Sequence, residues 1–162
     1  MSVSDLVILE GDHERFGEIL DRLRRDANAK LVFLVDKNGQ QIANSGELHG
    51  LDATSLGSLT AGNVAATDGL AKLIGEKEFS ILFHEGETDN LHINVVAGRT
   101  ILVVMFDERS SLGLVRLRVK KATVDLAVVL EEVAARSEAQ ASVLGSSPFG
   151  EITDEDIDAL FS

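Results

Sequence analysis

The chain has 162 residues, 44% of them hydrophobic, and a formal net charge of −12, which suits one domain with a short extension and a core that needs no covalent staples. The lack of cysteine excludes disulfides and thiolate metal sites. The acidic balance, with no tryptophan or tyrosine, argues against nucleic acid and anionic membranes as partners. No stretch approaches the ~20 apolar residues of a bilayer span, and Met1–Glu10 lacks the pattern of a secretory signal, so a cytoplasmic location is expected.

His13–Arg25 reads as a helix, with Phe16, Ile19, Leu20 and Leu23 on one face. Lys30–Asp36 has the length and residues of a strand. Lys37-Asn38-Gly39-Gln40 then carries an Asn-Gly hairpin signal, and Gln41–Ser45 returns. Leu51–Ile74 is a second helix, capped by Asp52 and stopped by Gly75. Strands are expected at Phe79–Glu85, Leu91–Val96 and Ile101–Phe106. The last is nearly all apolar and so should be central. Ser111 caps a long helix with its stripe at Leu112, Val115, Val119, Ala122, Leu126, Val129 and Val133, fading near Glu138. The order predicts an α+β fold: a five-stranded antiparallel sheet with helices packed on it. No internal repeat is present. Residues 1–12 form an N-terminal segment, 13–138 the domain, 139–150 a linker around the only proline, Pro148, and 151–162 a tail.

The second helix carries the main functional signal. Leu56, Leu59, Asn63, Ala66, Leu70 and Leu73 share one side, which reads as core. The other side carries Gly57, Ser58, Ala61, Gly62, Ala65 and Gly69, with charge only from Asp68 and Lys72. A surface helix normally displays Glu, Lys and Arg there. Interior glycines also cost about 1 kcal/mol each against alanine, a cost that close approach of another backbone offsets. Gly57, Ala61, Gly62, Ala65, Gly69 and Lys72 are therefore candidates for contact with a partner or a second copy. The alternative is an alanine-rich helix lying under a loop of its own chain.

The tail, Glu151–Ser162, holds five acids and no base. Thr153 can cap a helix there, with Asp156 at the capping-box position and Ile152 and Ile157 as a hydrophobic staple. Phe149, Ile157, Leu160 and Phe161 then make an apolar docking face for a partner groove, or pack on the chain's own domain. Arg116, Arg118, Lys120 and Lys121 form a basic cluster. They are either a solvated face or a docking patch for an acidic partner or the chain's own tail.

No catalytic set emerges. A Walker A motif, a nucleophile elbow and a cysteine nucleophile are all missing. Asp36, Asn38 and Glu47 echo a calcium loop, but the sixth position is Gln41, where glycine is needed. His84 and His92 lie on adjacent predicted strands and could share a face, yet no convincing third metal ligand accompanies them. No metal and no cofactor are expected.

Asp26–Gln40 resembles the first hairpin of the roadblock family. Thr54–Ala66 followed by Gly69–Glu76 is similar to the central helix of that family's bacterial polarity regulators, Phe106–Lys121 to their last helix region, and Ser147–Phe161 to their C-terminal tail. The likeness runs from about His13 to the end. It implies a roadblock domain over 13–138 with the order αββαβββα, and a homodimer whose central helices meet and whose sheets join across the third strand. As partner it implies a Ras-like small GTPase of the MglA type, bound by two regulator subunits per GTPase. The implied activity is stimulation of GTP hydrolysis without an inserted arginine finger, by repositioning the partner's switch regions. The implied setting is cell polarity or gliding motility, with concentration at a cell pole. For the tail it implies a second contact on the GTPase that bears on nucleotide exchange. A roadblock scaffold subunit with no effect on GTP turnover is the alternative.

Overall fold

The computed structural model describes residues 6–145. Their elements run α1 (Glu10–Asp26), β1 (Leu31–Asp36), β2 (Gln41–Gly46), α2 (Ala53–Leu73), β3 (Ile81–Glu85), β4 (Asn90–Val96), β5 (Thr100–Phe106) and α3 (Leu112–Gly145). The five strands form one antiparallel sheet in the order β2-β1-β5-β4-β3. The expected order of elements and sheet type hold. The apolar run of β5 is central, as its composition required, and β3 is an edge.

Alternation along the strands assigns each face. Val32, Leu34, Leu102, Val104 and Phe106 pack against α1 and α3, together with Phe16, Leu20, Val115, Leu126 and Leu130. Leu31, Phe33, Val35, Ile93, Ile101 and Val103 face α2, where Ala61 and Val64 close a smaller core. The helix pair thus covers one face of the sheet and α2 covers the other. Among the described residues no helix is long and apolar enough to cross a membrane.

The first helix starts at Glu10, earlier than the expected His13. The Leu9 N–H donates to Asp12 Oδ2 at 2.9 Å, which supplies the cap. Asp12 is buried and pairs with Arg136 of α3. Burial opposes its charge, but the Arg136 guanidinium and the Leu9 amide hold its carboxyl below the usual range. Arg136 also donates to the Val7 carbonyl, and the Val7 N–H donates to Ser137 Oγ. The segment before α1 is therefore stitched to the far end of α3.

The third helix begins as predicted, with Ser111 Oγ accepting from the Leu114 N–H at 3.2 Å. Its expected stripe is buried from Val115 through Val133. It runs past the expected end near Glu138 to Gly145. Ala139-Gln140-Ala141 are good helix formers, and the first strong stop is Pro148.

The Asn-Gly turn between β1 and β2 has Gly39 at φ +91°. Asp36 Oδ1 accepts from the N–H groups of Asn38 and Gln40, at 2.9 and 3.0 Å. This carboxylate is spent on tying the turn. The turn also touches α2: a Cβ on Gly57 would stand 2.1 Å from the Gly39 carbonyl oxygen. Gly57→Ala should therefore destabilise the protein by about 1–2 kcal/mol, the overpacking strain outweighing the gain in helix propensity. A Cβ on Gly62 meets nothing within 4 Å, so Gly62→Ala should stabilise it by up to about 1 kcal/mol. Urea midpoints of the two variants check this opposite pair of signs.

Candidate contact surface

Helix α2 starts cleanly. Asp52 Oδ1 accepts from the Thr54 N–H at 3.1 Å, and Ser55 Oγ donates to Asp52 Oδ2 at 2.7 Å. These bonds hold the Asp52 carboxyl below its ordinary range.

The helix is rotated about its axis from the sequence reading, though not reversed. Gly57, Thr60, Ala61, Val64 and Ala71 are the buried positions. Leu59, Leu70 and Leu73, expected in the core, are 74, 54 and 85% exposed, and Ala66 is exposed too. Two candidate contact residues are thereby corrected. Gly57 and Ala61 lie under their own chain, because the β1–β2 turn approaches the helix backbone too closely for anything larger at Gly57. The backbone that offsets the cost of Gly57 is the protein's own.

The remaining candidates Gly62, Ala65, Gly69 and Lys72 are exposed, and a Cβ on Gly62 or Gly69 would enter open space. At 100° per residue the outer surface resolves into two flanking stripes. Leu59, Ala66, Leu70 and Leu73 make an apolar row. Ser58, Gly62, Ala65 and Gly69 make a row without bulk beside it. Asp68 is half-buried, so Lys72 is the one fully exposed charge in α2 beyond its cap. An apolar, almost uncharged outer surface of this kind is unlike that of an ordinary solvated helix, which displays Glu, Lys and Arg.

The basic cluster on α3 does not form one patch. Arg118 and Lys121 lie beside Glu18, Asp26 and Asp125 in a pocket between α1 and α3. Arg116 and Lys120 stand on the other side, over β3 and β4. There they border a cleft of about 710 Å³ with Ile81, Leu117 and Val124 on its walls. This cleft was missed in the sequence. Its signal was a second apolar row on α3, Leu117, Val124 and Val128, all exposed, running beside the buried stripe. The tail residues Phe149, Ile157, Leu160 and Phe161 lie outside the described residues.

The histidine pair separates. His92 is opposite Phe83 in the β3–β4 register, and His84 is opposite Leu91. The two rings therefore sit on opposite faces of the sheet. Among the described residues no His, Cys, Asp and Glu cluster could hold a metal ion. The calcium-loop echo ends at Asp36, whose Oδ1 is already bonded to backbone amides.

His92 is 1% exposed, and neither ring nitrogen has a hydrogen-bond partner. Burial, and then the nearby Arg116 charge, push its pKa below the ordinary 6.5. The unfolded chain thus binds a proton that the folded chain refuses. Stability from this group is present above about pH 6.5 and is lost as pH falls towards the lower folded value. Between pH 7.5 and 5.5 the thermal midpoint should fall less in His92→Leu than in the unaltered chain. One proton contributes at most about 1.4 kcal/mol per pH unit.

The Roadblock/LC7 domain pattern matches residues 15–106. Among solved structures the chain is similar to MglB of Myxococcus xanthus, at 56% identity over 79% of this chain and 96% of that one, with a TM-score of 0.75. It is similar to the gliding protein MglB of Thermus thermophilus at 36% identity, over 78% and 96% of the two chains, with a TM-score of 0.72. A third likeness, at 35% identity over 79% and 96%, with a TM-score of 0.73, is to an MglB with a tetrameric arrangement. No curated protein matches the chain.

Proposed function

The chain belongs to the Roadblock/LC7 domain family, and with MglB proteins as its relatives there, we propose that it stimulates GTP hydrolysis by a Ras-like small GTPase of the MglA type. The observation that carries this reading is the outer surface of α2, apolar, poor in bulk and nearly free of charge. The leucine row, Leu59, Leu70 and Leu73, serves the homodimer. The adjoining row of Gly62, Ala65 and Gly69, with Lys72 beside it, receives the GTPase. That division follows from chemistry: leucines gain most from symmetric burial, whereas small residues let a foreign backbone approach. The free edge of β3 suits sheet joining across the dimer.

Two subunits would engage one GTPase and hold its switch regions in the reactive arrangement. Phosphoryl transfer depends mostly on positioning and charge stabilisation, so a regulator with no catalytic group of its own can act this way. The tail, 151–162, adds a second contact on the GTPase that bears on nucleotide exchange. The Thermus relative is a gliding protein, and we place this chain in cell polarity or gliding motility, in the cytoplasm and at a cell pole.

Single-turnover hydrolysis by the cognate GTPase, with and without this chain, tests the reading. Hydrolysis should accelerate, and Arg116→Ala and Arg118→Ala should each preserve the acceleration. A supplied arginine finger is worth about 10³–10⁵ in rate, so its loss could not be overlooked. Binding without acceleration would make the chain a scaffold subunit instead.

A further inference from the structure

The residues just ahead of α1, Leu6–Leu9, belong to no helix or strand, yet they reach the far end of α3. The Val7 N–H donates to Ser137 Oγ at 2.9 Å, and Arg136 donates to the Val7 carbonyl at 3.1 Å. Arg136 also pairs with Asp12, whose Oδ2 accepts from the Leu9 N–H at 2.9 Å. One guanidinium thus ties together the leading segment, the start of α1 and the end of α3.

Its place on α3 matters. The pairs Arg15–Glu132 and Asp12–Arg136 set the two helices antiparallel. Because α1 begins at Glu10, it gives out beside about residue 138 of α3. Ser137 is 3% exposed, whereas Glu138 through Ala141 are all exposed. The leading segment is therefore bound where α3 loses the support of α1.

The hold is light. Val7 and Leu9 are 42 and 46% exposed, and Leu6 and Ile8 are only partly buried against the core of α1 and α3. Leu6 and Ile8 also face a cavity of about 250 Å³ bordered by His13, Asp36, Gln41 and Ile42. Apolar groups beside a void lack contacts on that side. Both backbone bonds of Val7 go to side chains rather than to a ladder. Segments with so few buried contacts are the ones that open first.

We propose that Leu6–Leu9 is a detachable strap. Closed, it fixes the last turns of α3 and with them the point from which the chain beyond Gly145 sets out. Open, it leaves that end of α3 unsupported. The strap stands on the contacts above, whereas its effect on a GTPase rests on the tail contact proposed under the function. A fixed starting point raises the effective concentration of the tail at its second site, and an open strap lowers it.

Hydrogen exchange of the full chain, with no GTPase present, tests the strap. Ile8→Asp puts a carboxylate on its inner side, by the cavity that Asp36 also lines. Amides of residues 134–141 should then exchange at least about tenfold faster, the weight of one hydrogen bond to a charged group, while those of β5 keep their rate. Arg136→Gln should act in the same way. Arg15→Gln breaks an ion pair whose two partners are about half exposed and should leave residues 134–141 protected. Unchanged exchange there would overturn the proposal. So would equal acceleration of β5, or an effect of Arg15→Gln as large as that of Ile8→Asp. With the GTP-loaded partner, Ile8→Asp should weaken binding severalfold, and the loss should vanish once Leu160→Glu and Phe161→Glu disable the tail. An equal loss in both backgrounds would overturn the link between strap and tail. If the tail substitutions alone change nothing, the tail reading fails, and the exchange rates still decide the strap.

Discussion

Ala65→Arg is expected to abolish the proposed stimulation of GTP hydrolysis while leaving the fold and the proposed homodimer intact. Ala65 is exposed on the small-residue row of α2, between Gly62 and Gly69. Arginine is nearly as good a helix former as alanine, and at an exposed site its side chain is solvated. The isolated chain should therefore keep its circular dichroism and its mass. In the complex the same side chain fills the space that a partner backbone needs, and its charge loses water without gaining a counterion. Affinity for the GTP-loaded partner should drop at least about a hundredfold, or about 2.7 kcal/mol, with hydrolysis returning to the rate of the GTPase alone. Ala61→Arg is the instructive contrast. Ala61 is buried against the sheet, so that variant should fail through misfolding, visible as a lost thermal transition. If Ala65→Arg still stimulates hydrolysis at the unaltered rate, the GTPase does not dock on this row.

The contrast also shows what could be read from the chain without coordinates. Element types and order were legible because each has a strong local cause: the Asn-Gly turn, the Asp52 and Ser111 caps, and the unbroken apolar run of β5. The orientation of α2 was not. Its two sides are both apolar, one in leucine and one in glycine and alanine, and periodicity alone gives two faces without saying which is inward. Hydrophobicity assigned the leucines to the core. What decides is distance: the Gly39 turn lies so close that only Gly57 fits beneath it, so the small residues must face in at that end. A contact between residues far apart in sequence leaves no local trace. The His84–His92 pairing failed for a related reason. Sharing a face depends on strand register, and a shift of one residue reverses it. The basic cluster looked like one patch because its members are adjacent in sequence, yet a helix sends Arg116 and Arg118 to different sides.

The second large effect is expected from Leu70→Glu combined with Leu73→Glu, which should turn the proposed homodimer into monomers at micromolar concentration. Both side chains stand mostly in water in the single chain. A chain that kept them there would retain an exposed apolar row with no benefit, whereas complete burial of a leucine is worth about 1.5–3 kcal/mol. The double variant removes four leucines from a symmetric interface and places four carboxylates close together within it. Even after the entropy of association is set against the gain, the dissociation constant should rise by at least about a hundredfold. Glutamate is a good helix former, and neither position touches the buried face, so monomers should be folded. Sedimentation equilibrium and circular dichroism measure the two halves of this expectation. On the proposed arrangement of two subunits per GTPase, the monomers should also lose stimulation, but by a different route from Ala65→Arg. Raising the concentration of the double variant should recover part of its activity as dimers reform, while no concentration should rescue Ala65→Arg by way of the dimer. An unchanged dimer mass would mean that the leucine row faces something other than a second copy, and the division of α2 into a self-contact row and a partner row would fall with it.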